Sequence, residues 1–168
     1  KIFLENYAIF FTILCIIILI NALNFYDGIN GQSLIFFLLA FSFLLFKTQR
    51  IEFYIFLIIF LFFLLFLNFK NKLFLGDNGI FVLTIILATS LLYEHNVYKN
   101  ITFADEIFLL LFLPGLDLLR MTFSRLSKGK NPFYGDRNHI HHLLIKRYSL
   151  TNTNLILAIM AGFPFFFF

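Results

Sequence analysis

The chain has 168 residues, of which 61% are hydrophobic and 13% charged, with 28 Phe and a formal net charge of +4. A soluble domain of this length holds roughly 45–50% apolar and about 25% charged residues, and it cannot bury such an apolar excess. A soluble globule, a disordered chain and a collagen-like repeat are thereby excluded, and lipid is the expected solvent for most of the chain.

In chain order, apolar stretches run over about 7–23, 34–46, 53–67, 79–92, 107–119 and 155–168. Several fall short of the ~20 residues that cross ~30 Å of hydrocarbon, but flanking Ser, Thr and Asn can extend them. A β-barrel needs alternating polar residues, and the run 55–67 has none. The fold class expected is therefore all-α, a polytopic membrane bundle of about six transmembrane helices. Glu5 and Asn6 argue against a signal peptide at the start. The first residue is not Met and the last four are Phe within an apolar run, so 1–168 reads as a fragment of a longer membrane protein. The single Cys15 gives neither a disulfide framework nor a thiolate metal site.

Six crossings fix sidedness. The loops near 24–33, 68–78 and 120–154 share one face and hold nine of the 13 Lys and Arg, while the other face holds Lys1, Lys47, Arg50 and Lys99. The positive-inside rule makes the nine-residue face cytoplasmic. Every polar cluster with chemical potential falls on that face: 21–31, 74–79 and 136–142. Glu94 and His95 fall on the other and are expected to be solvated.

Each cluster has two readings from its residues. Asn21, Asn24 and Asp27, with Asn30 three further on, put a polar stripe on the end of an apolar helix, and polar groups at that depth usually face a cavity, a partner or an ion. They also suit a helix end followed by the turn formers Asp27-Gly28 and Asn30-Gly31. Asp77, just before the fourth apolar stretch, is either an N-cap or a carboxylate holding Mg²⁺ beside a phosphate at a helix N-terminus. His139, His141 and His142 in a basic loop suit a phosphate-rich ligand or, less well matched in ligand spacing, zinc. Asp117 and Arg120, three apart, form an expected structural ion pair.

These clusters, in this order, resemble the polyprenyl-phosphate N-acetylhexosamine-1-phosphate transferases, and the His139-Ile140-His141-His142 form resembles the branch using N-acetylglucosamine. The resemblance implies transfer of a sugar 1-phosphate from a UDP-N-acetylhexosamine to a membrane polyprenyl phosphate, with release of UMP, as a first step of cell-envelope polysaccharide synthesis such as O-antigen. It implies Mg²⁺, or Mn²⁺, held by Asn24 and Asp77, and Asp27, Asp77 and His141 as catalytic residues. It further implies substrate contacts from Asn21, Asn30, Phe74, Arg137, His139 and His142, with Phe74 against the uracil. The expected location is the bacterial inner membrane, with the site on the cytoplasmic face. A homodimer is compatible and no nucleic acid is expected. The peptidoglycan-precursor translocase branch is the neighbouring alternative, and a transporter or channel fragment the alternative of another class. The resemblance aligns 1–168 with the C-terminal part of one integral-membrane glycosyl-1-phosphate transferase domain. The adjacent aspartate pair that the family carries upstream is not in these 168 residues, so the isolated chain is expected to be inactive.

Overall fold

The structure is a computed structural model and describes residues 7–129, 131 and 139–164. Arg137 and Asp136 lie outside the described residues. Eight α-helices follow one another: α1 Ala8–Tyr26, α2 Gln32–Lys47, α3 Ile51–Phe69, α4 Gly76–Tyr93, α5 Ala104–Leu110, α6 Phe112–Leu126, α7 Ile140–Ile145 and α8 Leu150–Gly162. A π-turn, Glu94–Tyr98, extends α4. No strand occurs among the described residues.

The centre of the bundle is α2, which packs against α1, α3, α4 and α8. Its Phe37, Phe41 and Leu44 are fully buried, and Phe41 meets the buried ring of Tyr54 on α3. In lipid, helices gain little from hiding apolar surface and associate through close packing, which favours small residues at the contacts. Ala22, Ala40, Ala88 and Ala161 are all buried, one on each of α1, α2, α4 and α8. The outer helices do the opposite. Ile9, Phe10, Ile13 and Ile17 on α1, and Phe56, Ile59, Phe62, Phe63 and Phe66 on α3, are exposed, as helices bathed in lipid require.

Among the described residues three helices are long and apolar enough to cross a membrane: α1, α3, and α4 with its π-turn. The fifth expected span exists but is bent by 71° between α5 and α6. Pro114 explains the break, because it has no N–H to donate to the Leu110 carbonyl, the bond that would carry α5 into α6. The shorter apolar helices α2 and α8 correspond to the second and sixth expected spans. All four stretches 7–23, 34–46, 53–67 and 79–92 grow at their polar ends. The chain is an all-α, multi-pass membrane protein.

Glu94 corrects the sequence reading: it is 0% exposed, not solvated. The π-turn carries it inward, where its carboxylate accepts from Thr48 Oγ1 (2.7 Å), Tyr54 Oη (3.2 Å) and Asn100 Nδ2 (2.8 Å). His95 beside it is exposed, as expected. Lys47 and Glu106 pair at 3.7 Å, which ties the start of α5 to the end of α2. The loops after α2 and α4 thus meet at one end of the bundle.

Candidate functional site

The three polar clusters gather at the other end. The last turn of α1 carries Asn24, and the chain leaves the helix at Asp27, whose backbone N–H still bonds the carbonyls of Leu23 and Asn24. The polar stripe therefore holds for Asn21 and Asn24 on α1 but not for Asp27, which is its C-cap. Asn21 is exposed and returns its amide to the Ile17 carbonyl at 2.8 Å.

Two glycines shape the turn between α1 and α2. Gly31 has φ +89°, a left-handed conformation open to glycine, and a Cβ there would lie 2.6 Å from the Phe69 ring. At Gly28 an added Cβ would overlap the His141 ring. The hydrogen hydrogen-bonded frame around this turn is built largely from asparagines. Gly31 N–H donates to Asn68 Oδ1 (2.6 Å), Asn68 Nδ2 to the Leu73 carbonyl (2.9 Å), Asn30 Nδ2 to Asn71 Oδ1 (2.6 Å), and Asn154 Nδ2 to the Asn30 carbonyl (2.8 Å). Asn30, expected to touch substrate, thus already serves to join the turn to the 68–73 loop and to α8.

Asp27 accepts from Ser33 Oγ at 2.6 Å. Burial raises its carboxyl above the ordinary carboxylate value, the Ser33 hydroxyl opposes this, and the charge of Asp77 adds to the rise. Asp27 and Asp77 are therefore within electrostatic reach of each other. Asp77 is exposed in the first turn of α4, which begins at Gly76 with no side-chain cap. The N-cap reading of Asp77 is excluded by this geometry. Neither the Asp77 carboxylate nor the half-buried Asn24 amide makes a hydrogen bond among the described residues. Oxygen ligands left unpaired near two like charges fit a hard divalent cation that takes one or two protein ligands. No group of three or more His, Cys, Asp or Glu able to hold a metal occurs among the described residues, so the zinc reading of the three His gains no support. Phe74 is 72% exposed, close in sequence to Asp77.

The His segment closes this end. His139 caps α7, is buried, and stacks between Phe25 of α1 (5.8 Å, 18°) and His141 (5.6 Å, 4°). His141 is 1% exposed, lies against Gly28, and has Nδ1 3.4 Å from Gln32 Nε2. Burial, with His142 and then His139 beside it, pushes its imidazole down to about 4, which leaves it neutral at pH 7. His142 is half-buried, its ring 4.2 Å from that of His141. Of the site residues expected from sequence, Asn24, Asp27, Asn30, Asp77, His139, His141 and His142 come together at this end. The sequence reading missed Phe25, Gln32, Ser33, Asn68 and Asn154. Polar residues at the ends of otherwise apolar helices were the available signal for the last four.

A multi-pass bundle whose polar side chains converge at one end, around a turn, a helix start and a His-rich segment, is the class that fold and site define. The sequence matches the Glycosyl transferase family 4 over residues 2–95, and the chain belongs to that family. It is 31% identical over 90 residues to the undecaprenyl-phosphate alpha-N-acetylglucosaminyl 1-phosphate transferase of Pasteurella multocida (strain Pm70), covering 54% of this chain and 25% of the relative. With the protein of the same name from Escherichia coli (strain K12) it is 27% identical over 175 residues, which covers 95% of this chain and 46% of the relative. The chain thus spans less than half the length of these relatives. No solved structure matches it significantly.

Proposed function

We propose that the protein to which this chain belongs transfers a sugar 1-phosphate, from UDP-N-acetylglucosamine or a related UDP-N-acetylhexosamine, to a membrane polyprenyl phosphate. The observation that carries the reading is the convergence of Asp27, Asp77 and the His139–His142 segment at one end of the bundle in a chain of this family. An oxygen of the lipid phosphate attacks the sugar-bearing phosphorus, the P–O–P bond breaks, and UMP leaves. Two anions must approach, so positioning and charge neutralisation matter more than covalent machinery. Asn24 and Asp77 would hold Mg²⁺ or Mn²⁺, which supplies that neutralisation. Asp27 stands beside the diphosphate, and His139 and His142, with Arg137, bind the nucleotide sugar. His141, 1% exposed and packed on Gly28, is read not as the catalytic group that the resemblance implied but as the residue that holds α7 against the Asp27 turn. Phe74 offers a ring to the uracil, and Asn21 and Asn30 line the approach. The positive charge bias supports a cytoplasmic-face site in a bacterial inner membrane, where a lipid acceptor and a soluble donor can meet.

The test is an assay of the full-length parent protein in lipid, with UDP-N-acetylglucosamine and polyprenyl phosphate. UMP and a polyprenyl-diphosphate sugar are expected with Mg²⁺ or Mn²⁺ and neither with chelator. Uptake of substrate into vesicles without UMP release would overturn the reading in favour of a transporter.

A further inference from the structure

Asp117 is 2% exposed on α6, beyond the 71° bend. The sequence pairs it with Arg120, and that bond is present, Arg120 Nη2 to Asp117 Oδ1 at 2.8 Å. The structure adds two contacts from 22 and 23 residues away. His139 Nδ1 lies 2.8 Å from Asp117 Oδ2, and Ile140 N–H donates to Asp117 Oδ1 at 3.1 Å. One carboxylate therefore joins a bent membrane helix to the first turn of α7.

We propose that Asp117 is a positioning residue for His139, fixing the tautomer and orientation of that ring so that Nε2 is offered as an acceptor to a hydroxyl or amide N–H of the sugar nucleotide. The proposal rests on the transfer reading above for its ligand, though not for its geometry. Arg120 and the Ile140 N–H, both on Oδ1, keep the carboxylate an acceptor. An acceptor facing Nδ1 requires the proton to sit on Nδ1. The other ring nitrogen, Nε2, makes no hydrogen bond among the described residues, and it is the atom left for a ligand. In that tautomer Nε2 carries the ring's lone pair and accepts from a hydroxyl or amide N–H of the donor. The stack of Phe25, His139 and His141 fixes the ring plane but not which nitrogen carries the proton. That choice falls to Asp117.

The experiment has two readouts on the full-length protein in lipid. In ¹⁵N spectra of the ring nitrogens, His139 should be the Nδ1–H form when neutral, and Asp117→Asn should shift it toward Nε2–H, since the amide can present a donor to Nδ1. In the UMP-release assay Asp117→Asn should raise KM for the UDP-sugar up to about tenfold, the loss of one hydrogen bond accepted at Nε2, with a smaller change in kcat. Asp117→Glu should recover part of it. In a His139→Ala background the same Asp117→Asn change should add little, because the two act through one ring. An unchanged His139 tautomer, or an equal loss in both backgrounds, would overturn the proposal. Wild-type protein with the expected tautomer but no UMP release would refute the transfer reading and the sugar-nucleotide ligand while leaving the Asp117–His139 pair standing.

Discussion

Glu94 at one end of the bundle and Asp77 at the other are treated in opposite ways. Where the loops after α2 and α4 meet, Glu94 takes three side-chain hydrogen bonds and Glu106 lies beside Lys47. Arg50 is held over the rings of Phe53 and Tyr93. At the other end asparagine amides and glycine backbone make the frame, and Asp77 and Asn24 are left without hydrogen bonds among the described residues. Buried polar groups are normally satisfied internally. Glu94, enclosed and taking three hydrogen bonds, serves the fold, whereas Asp77 stands exposed beside Asp27 while Asp27 and Asp117 near it are hydrogen-bonded, so Asp77 is the carboxylate placed to meet something else.

The sharpest way to break this comparison is at Asp77. In the full-length protein, Asp77→Asn should lower UMP release about a hundredfold or more, the scale expected when a charge-stabilising group at a phosphoryl site is removed, while the melting temperature stays within a few degrees. A well-folded variant with near-normal turnover across Mg²⁺ concentrations would falsify the metal assignment. Glu94→Leu at the opposite end should do the reverse. It strands the donors of Thr48, Tyr54 and Asn100, and should cost about 2–4 kcal/mol of stability with turnover per folded molecule retained. Equal loss of activity at unchanged stability would erase the distinction between the ends.

Gly28→Ala sharpens the comparison within the site. Its Cβ would occupy the place of the His141 ring, so α7 must shift from the turn. Turnover should fall about tenfold, for about 1–3 kcal/mol of overpacking, and a smaller His141 substitute, His141→Ala, should partly relieve the defect. No relief would show that the ring is not seated there in solution.

The smallest expected effect is a pH dependence of stability. His141 lies at about 4 in the fold against an ordinary 6.5. Between those values the unfolded chain binds more protons, so stability is full above about pH 6.5 and falls as pH drops toward 4. Thermal melts from pH 7 to 5 should show this slope, and His141→Gln should flatten it. An identical slope in the variant would assign the effect to other groups.

Much of this was legible in the sequence. Apolar run length located α1 to α4, and crossing parity brought 27, 77 and 139–142 to one end without any contact information. The polar residues Gln32, Asn68 and Asp77 belong to the helices although they interrupt the apolar pattern: Asn68 bonds the Gly31 N–H and the Leu73 carbonyl, the Gln32 amide nitrogen faces His141, and Asp77 sits at an open helix end. The bend at Pro114 needed only the missing N–H, yet the apolar run across it masks the break. Glu94 was not legible, since a charged residue beside His95 and Asn96 looks like surface until a π-turn rotates it inward. Nor was the bond between Asp117 and His139, for Arg120 offered a nearer and sufficient partner.

The central helix α2 has 16 residues and its outer neighbours α1 and α3 have 19 each. At 1.5 Å per residue it is about 24 Å long, against about 30 Å of hydrocarbon. Hydrophobic mismatch acts only on surfaces that lipid touches, and α2 is enclosed by α1, α3, α4 and α8, so its short span is met by protein and not by a thinned leaflet. Lipid meets the exposed faces of α1 and α3, which at about 28 Å match the hydrocarbon. The thickness of the bilayer therefore acts on the turn at Gly28 and Gly31 only through α1, the helix that leads into it.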